Sequence, residues 1–274
     1  MPDYFIKPSF FSGSEGDTFT LNVEPPNKCR GHVIYLPPIG EELNRCRTTI
    51  ATHAKIIASS GIGCTVLDYY GTGDSDGDFC QGELSLWLKD LSTLVCSIKK
   101  DNSLPVYLVG FRLGALIAMA YINDNPDIIS SSLLIQPITN GKQFVTQLLR
   151  QRMAGQMATD SPVDTTEQMR HSLMGGQNIE IGGYEFNYKL LLELDKMSVK
   201  DFSHLSNHKL NWLEFEQAAG KGLSISSQRT IGSLEQNGNI VEATCVNDPP
   251  IWQLHERAVA PNNIEIVKMV VRKW

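Results

Sequence analysis

Four short stretches of the 274-residue chain are apolar without a polar face: His32–Leu36 (H-V-I-Y-L), Cys64–Tyr69 (C-T-V-L-D-Y), Val106–Val109 (V-Y-L-V) and Ser132–Ile135. Runs of this length and continuity predict strands buried on both sides, as in a parallel sheet. Longer segments with helical periodicity lie between them. Glu41–Ser60 is one, stopped by Gly61-Ile62-Gly63. Glu83–Lys100 is another, with Leu84, Trp87, Leu88, Leu91, Leu94, Val95 and Ile98 on one face. A third opens after Gly114 and includes the apolar Leu116–Tyr121. Strand and helix therefore alternate, which predicts an α/β protein with a mostly parallel central sheet and helices on both faces. Ahead of this, Tyr4–Phe11 and Thr18–Val23 read as an antiparallel hairpin around the turn residues Ser12–Asp17.

The rhythm breaks between Gly141 and His208. Phe144–Met157, Thr165–Met174 and Leu190–Met197 read as helices, and Ile179–Ile181 and Tyr184–Phe186 as a tight hairpin about Gly182-Gly183. The alternation then resumes with strand Leu210–Phe215, helix Ser226–Asn237, strand Ile240–Val246 and helix Pro261–Arg272. The expected organisation is a core made of residues 1–140 and 209–274, with a cap insertion over 141–208. In such sheets ligands bind beyond the carboxyl ends of the strands. Pro37–Glu42, Tyr69–Asp78, Gly110–Gly114 and Pro137–Lys142 converge there.

Composition narrows the partners rather than the fold. Hydrophobic residues make up 42% and charged residues 20%, ordinary for a globular chain. The formal net charge of −6 argues against a nucleic-acid or anionic-membrane surface. No apolar run approaches a membrane span, and Met1–Phe11 carries no basic region followed by an apolar one, so no signal peptide is expected. The six cysteines make no C-x-x-C, and Cys64 and Cys245 lie in apolar runs. That usage predicts reduced, buried thiols in a cytoplasm. A small-molecule or anionic ligand is the partner class left open; the oligomeric state is not specified.

The candidate chemistry centres on Gly110-Phe111-Arg112-Leu113-Gly114. Two glycines bracket the tip of a sharp strand-to-helix turn, where the lack of a Cβ lets strand and helix approach closely. This is the G-x-S-x-G nucleophile elbow of the α/β-hydrolase fold, with Arg112 in place of the serine. A guanidinium stays protonated and has no lone pair, so it cannot attack a carbonyl. It could bind a carboxylate, phosphate or oxyanion at the helix N-terminus, or be tied up in an internal ion pair. Glu41, Glu42 and Glu216 are the acids expected near it. Ile39 or Gly40 could supply one oxyanion-hole N–H and Leu113 the other.

The remaining triad partners should follow in the order acid, then histidine. Glu214 and Glu216 both fit the acid, and Glu216, at the strand end, is preferred. After Ile240–Val246 stands Asn247-Asp248-Pro249-Pro250-Ile251-Trp252, and His255 comes only after that. It reaches back only if the loop turns; otherwise it opens a surface segment.

Other motifs carry less. Gly71–Asp78 is off-register for a dinucleotide loop, and Asp74, Asp76 and Asp78 would repel a pyrophosphate. As a calcium loop it lacks the sixth-place glycine, and Ser85 stands where the bidentate glutamate belongs. A structured turn is expected, which makes Ser75 a poor nucleophile. His204 and His208, four apart, could share a helix face as metal ligands with Asp201, but a solvated linker is the simpler reading. No metal or cofactor is implied.

P-P-I-G-E-E-L-N-R-C-R, D-Y-Y-G-T-G-D-S-D-G-D-F, G-F-R-L-G-A-L and Q-P-I-T-N-G-K-Q-F-V-T-Q-L-L-R, spanning Pro37 to Arg150, together resemble the exosortase A system-associated hydrolase 2 family, and P-P-I-W at 249–252 resembles its C-terminal part. The resemblance implies a hydrolase of the α/β-hydrolase fold in bacteria that sort exported proteins and make exopolysaccharide, and ester- or acyl-like substrates are the first expectation for such a site. It also implies that arginine at the elbow is a family feature. Because fold does not establish chemistry, a non-catalytic protein binding an anionic ligand or a protein partner remains the alternative.

Overall fold

The computed structural model describes residues 3–101, 103–159, 162–216, 220–254, 256 and 258–274. Its sheet has eight strands: β1 (Phe5–Ser12), β2 (Asp17–Glu24), β3 (His32–Leu36), β4 (Gly63–Leu67), β5 (Val106–Phe111), β6 (Ser131–Ile135), β9 (Lys209–Phe215) and β10 (Ile240–Val246). They lie in the order β1-β2-β4-β3-β5-β6-β9-β10. β1 and β2 form the expected antiparallel hairpin, β2 pairs antiparallel with β4, and every later neighbour is parallel.

Two-residue alternation along the central strands splits the core between the faces. Ile34, Leu36, Leu108, Leu134, Leu210 and Trp212 point to one side, where α2 (Leu84–Asp101), α3 (Leu113–Asp124) and α7 (Ile225–Gln236) pack. Val33, Tyr35, Val109, Phe111, Leu133, Ile135, Leu213 and Phe215 point to the other, covered by α1 (Gly40–Ser59) and α8 (Pro261–Lys273). α3 is apolar all round and buried from Leu113 to Ile122, as suits the helix behind the central strand.

Between β6 and β9 lie α4 (Gly141–Ala158), α5 (Thr166–Met174), the hairpin β7 (Ile179–Ile181) and β8 (Tyr184–Phe186), and α6 (Tyr188–Lys196). Asn140, Thr165 and Asn187 cap the three helices by accepting backbone N–H bonds. The insertion continues the larger core through Phe144, Val145, Leu149, Leu190, Leu191 and Leu194.

Two expectations are corrected: the segment before β9 is not solvated throughout, and Cys245 is not buried. Residues 202–208 form no helix, so His204 and His208 share no helix face. His208 is buried with its Nε2 at 3.1 Å from Ser132 Oγ, while His204 is exposed. The cysteines are free, as expected, but only Cys46 and Cys64 are buried; Cys245 is half-buried because β10 is an edge strand, and Cys96 is exposed. Among the described residues no helix is long and apolar enough to cross a membrane.

Burial keeps three imidazoles neutral. His32, His53 and His208 each titrate at about 4, through desolvation first. His53 lies between Tyr35 Oη at 2.9 Å and Asn263 Oδ1 at 2.5 Å. Unfolded histidine titrates near pH ~6.5. Between that value and about 4 the unfolded chain binds more protons, so stability falls as pH drops through this window. Each ring is expected to contribute up to ~1.4 kcal/mol per pH unit there. Urea melts at neutral and mildly acidic pH test this; equal stability at both would mean the rings titrate normally.

Candidate active site

The turn between β5 and α3 puts Arg112 at the N-cap of the helix with φ 55° and ψ −116°. A positive φ is strained for a side chain this large. Neighbouring bonds hold it: Arg112 N–H donates to the Ile135 carbonyl at 3.0 Å, and the Arg112 carbonyl accepts from Ala115 N–H at 3.1 Å and Ile138 N–H at 3.3 Å. The flanking glycines are needed for contact. A Cβ on Gly110 would lie 2.5 Å from Ala115 Cα, and one on Gly114 would overlap the Leu36 carbonyl oxygen. Gly114→Ala is therefore expected to cost about 1–3 kcal/mol, read as a lowered midpoint in urea melts. A fully stable variant would mean that β3 and α3 can move apart.

Arg112 is 8% exposed. Its Nε lies 3.2 Å from both Glu42 carboxylate oxygens and its Nη2 2.9 Å from Oε1, a two-pronged grip. Glu42 sits in the first turn of α1, where the helix dipole also favours a carboxylate. Glu41 turns instead to Arg45, one turn on, at 3.3 Å. Of the three acids expected at Arg112, Glu42 is thus the one that meets it. Glu216 is half-buried, and its Oε2 accepts Gly220 N–H at 2.7 Å. Glu214 is buried, with Ser224 N–H at 3.0 Å and the Trp212 indole N–H at 3.4 Å. Neither bonds to Arg112 among the described residues. His255 lies outside the described residues.

The loop after β10 brings a residue that the sequence reasoning did not single out. Trp252, 4% exposed, stands with its ring centroid 5.1 Å from the Arg112 guanidinium carbon. Its ring meets Phe215 edge-on at 5.0 Å and Phe111 at 6.2 Å. Its buried indole N–H has no acceptor among the described residues.

On the amino-terminal side, Ile39 is buried at the N-cap of α1, and Gly40 follows with φ +57°. Leu113, the first residue of α3, has an N–H with no acceptor inside the helix. The β7–β8 hairpin comes down beside these groups. Tyr184 and Phe186 lie against Gly40, Tyr184 Oη accepts from Asn44 at 2.6 Å, and both rings pack edge-on to Phe79.

The loop after β4 is a structured turn, as expected. Ser75 Oγ donates to the Asp68 carbonyl at 2.7 Å and accepts Phe19 N–H at 2.8 Å, so both its roles are taken. Asp76 accepts Asp17 N–H at 2.8 Å.

Residues 28–177 match the family described as serine aminopeptidase, S33, more than half of the chain. The chain belongs to the serine aminopeptidase S33 family. The match of this S33 chain covers the elbow and the four central strands β3 to β6. Over 89 residues it is 30% identical to a monoglyceride lipase homolog of monkeypox virus; that stretch is 32% of this chain and 32% of the viral protein. Among solved structures it is similar to the esterase Est1E of Butyrivibrio proteoclasticus bound to ferulic acid, with TM-score 0.67, 16% identity, and 97% and 96% of the two chains covered. It is also similar to a thermostable carboxyl esterase of Bacillus coagulans in complex with glycerol, with TM-score 0.65, 14% identity, and 98% and 96% covered. The S33 chain thus has the α/β-hydrolase fold, with esterase structures as neighbours.

Proposed function

We propose that this chain is an esterase-like hydrolase of ester- or acyl-like substrates in which Arg112 serves as an anion and oxyanion clamp where the G-x-S-x-G elbow carries a serine. The observation that carries the reading is how Arg112 is held. Nε and Nη2 are committed to Glu42, while Nη1 makes no hydrogen bond among the described residues. Two N–H bonds of a rigid, permanently charged fork are thus left for a ligand, on the residue that precedes the first turn of α3. Donors fixed in this way stabilise charge that develops on a carbonyl oxygen. Ile39 and Gly40 are the proposed contributors from the opposite loop. A bound water is the nucleophile: its oxygen adds to the carbonyl carbon and the carbonyl electron pair moves to the clamped oxygen; as the adduct collapses, that pair re-forms the carbonyl, the bond to the alcohol or thiol breaks, and the leaving group takes the water's proton. Glu216 and His255 keep their proposed places as acid and base of a degenerate triad.

Residues 141–208 are taken as the cap over this site, supported by Tyr184 and Phe186 against Gly40. The esterase and lipase-homolog relatives support the acyl-ester class. The four motifs that resemble the exosortase A system-associated hydrolase 2 family support a role beside protein sorting and exopolysaccharide synthesis in a bacterium, and the free cysteines support a cytoplasmic place. A second reading is favoured by Trp252, which fills the region after β10 where a triad base would stand. In that reading the chain is catalytically inactive and Arg112 holds an anionic ligand or the carboxylate of a protein partner.

One experiment separates the two. Purified wild type and Arg112→Ala are assayed on a panel of esters and thioesters, and their binding of short-chain carboxylates is followed by calorimetry. Loss of one oxyanion donor should lower turnover by about 10²–10³. Carboxylate binding lost in the variant with no wild-type turnover would favour the second reading. Neither turnover nor binding would overturn both.

A further inference from the structure

We propose that the buried Asp90 carboxylate, together with the Ser14 and Thr18 hydroxyls, holds a monovalent cation of the sodium or potassium class between the β1–β2 turn and α2. Asp90 lies on the inner face of α2 and is 1% exposed, yet it makes no ion pair among the described residues. Its Oδ1 accepts the Ser14 N–H at 2.6 Å. Its Oδ2 is buried without a partner, and so are Ser14 Oγ and Thr18 Oγ1. Isolated buried charge is costly, and an orphaned polar atom in a folded core calls for a water or an ion.

Three such oxygens occur in one place. Thr18 is the second residue of β2 and is fully buried, and Ser14 belongs to the turn just before the strand. A Cβ on Gly13 would overlap Thr18 Oγ1 and lie 3.1 Å from Asp90 Oδ1, so the threonine and the carboxylate flank the same glycine. Each hydroxyl carries a proton that could go to Oδ2, yet neither makes a hydrogen bond among the described residues. Three neighbouring buried oxygens without a hydrogen-bond partner are the donor set that a bound ion would satisfy.

The donor set chooses the guest. It is all oxygen, with no sulfur or imidazole, which selects hard cations over zinc or copper. It carries one formal negative charge, so a single positive charge neutralises it. Calcium would bring one charge too many. The role of the ion is structural: it ties the hairpin at the sheet edge to α2, beside the second tie that Asp76 makes to Asp17.

The full-length protein is melted at equal ionic strength in sodium, potassium, calcium and N-methylglucamine chlorides. Sodium or potassium should raise the midpoint saturably by about 2–4 °C over N-methylglucamine, and Asp90→Asn should abolish the difference. Should that variant not fold, crystals of wild type grown in rubidium or thallium salts give a second measure. An anomalous peak among Asp90, Ser14 and Thr18 is expected. Identical melting in all four salts, stabilisation by calcium alone, or water density without anomalous signal would each overturn the assignment.

Discussion

Replacing Glu42 by alanine should lower the unfolding free energy by about 3 kcal/mol, because it strands a buried guanidinium. Breaking such a pair from one side generally costs about 3–5 kcal/mol. The low end applies here, since the Glu42 side chain is 22% exposed and water can enter where it leaves. For a chain of this size the melting point should fall by about 6–12 °C. Glu42→Gln keeps an acceptor for one prong and should cost less. The double variant Glu42→Leu with Arg112→Leu removes both charges and should recover part of the loss, the non-additivity expected of contacting residues. Urea and thermal melts of the four proteins give the cycle. A loss below ~1 kcal/mol for Glu42→Ala would place the pair among solvated surface bridges. The anion-clamp reading would then fail too, since Arg112 would not be held in a fixed orientation.

The two glutamates at the head of α1 also show how far the sequence could be read. Both were expected near Arg112, since Pro37–Glu42 ends a strand on the same side of the sheet as the elbow. The spacing of Glu41 from Arg45 is the i,i+4 pairing of one helix face. That leaves Glu42, a hundred degrees round the helix, to face the elbow. The choice was therefore implicit in the local pattern. The parallel sheet was legible for a related reason: strands buried on both faces carry unbroken apolar runs, and two glycines around one residue have few uses other than a sharp turn. Trp252 was not legible, because its contacts with Arg112, Phe111 and Phe215 come from a loop without periodicity and from strands far away in sequence. Cys245 misled for a similar reason, since its neighbours are apolar but its strand is the last of the sheet. The spacing of His204 and His208 suggested a shared face that exists only in a helix, and the backbone there is not helical.

The largest effect expected is on catalysis. Serine-directed fluorophosphonates should leave the wild-type protein unlabelled, because no serine stands at the elbow and Ser75, the hydroxyl on a neighbouring loop, both donates and accepts. Arg112→Ser should not by itself create an efficient esterase. A general base contributes about 10²–10⁴ in rate, and beside position 112 the described structure offers the ring of Trp252 instead. The single variant should therefore remain at least ~100-fold below the variant Arg112→Ser with Trp252→His, in which an imidazole replaces the indole next to the new hydroxyl. Thermal melts must first establish that both fold, since Glu42 loses its partner in each. Labelling and ester turnover then decide. Equal, substantial activity in the single and double variants would mean that a base reaches the elbow from elsewhere, His255 foremost. A wild-type adduct mapped by mass spectrometry to one serine would mean that the chain uses serine chemistry after all and that Arg112 is a bystander to it.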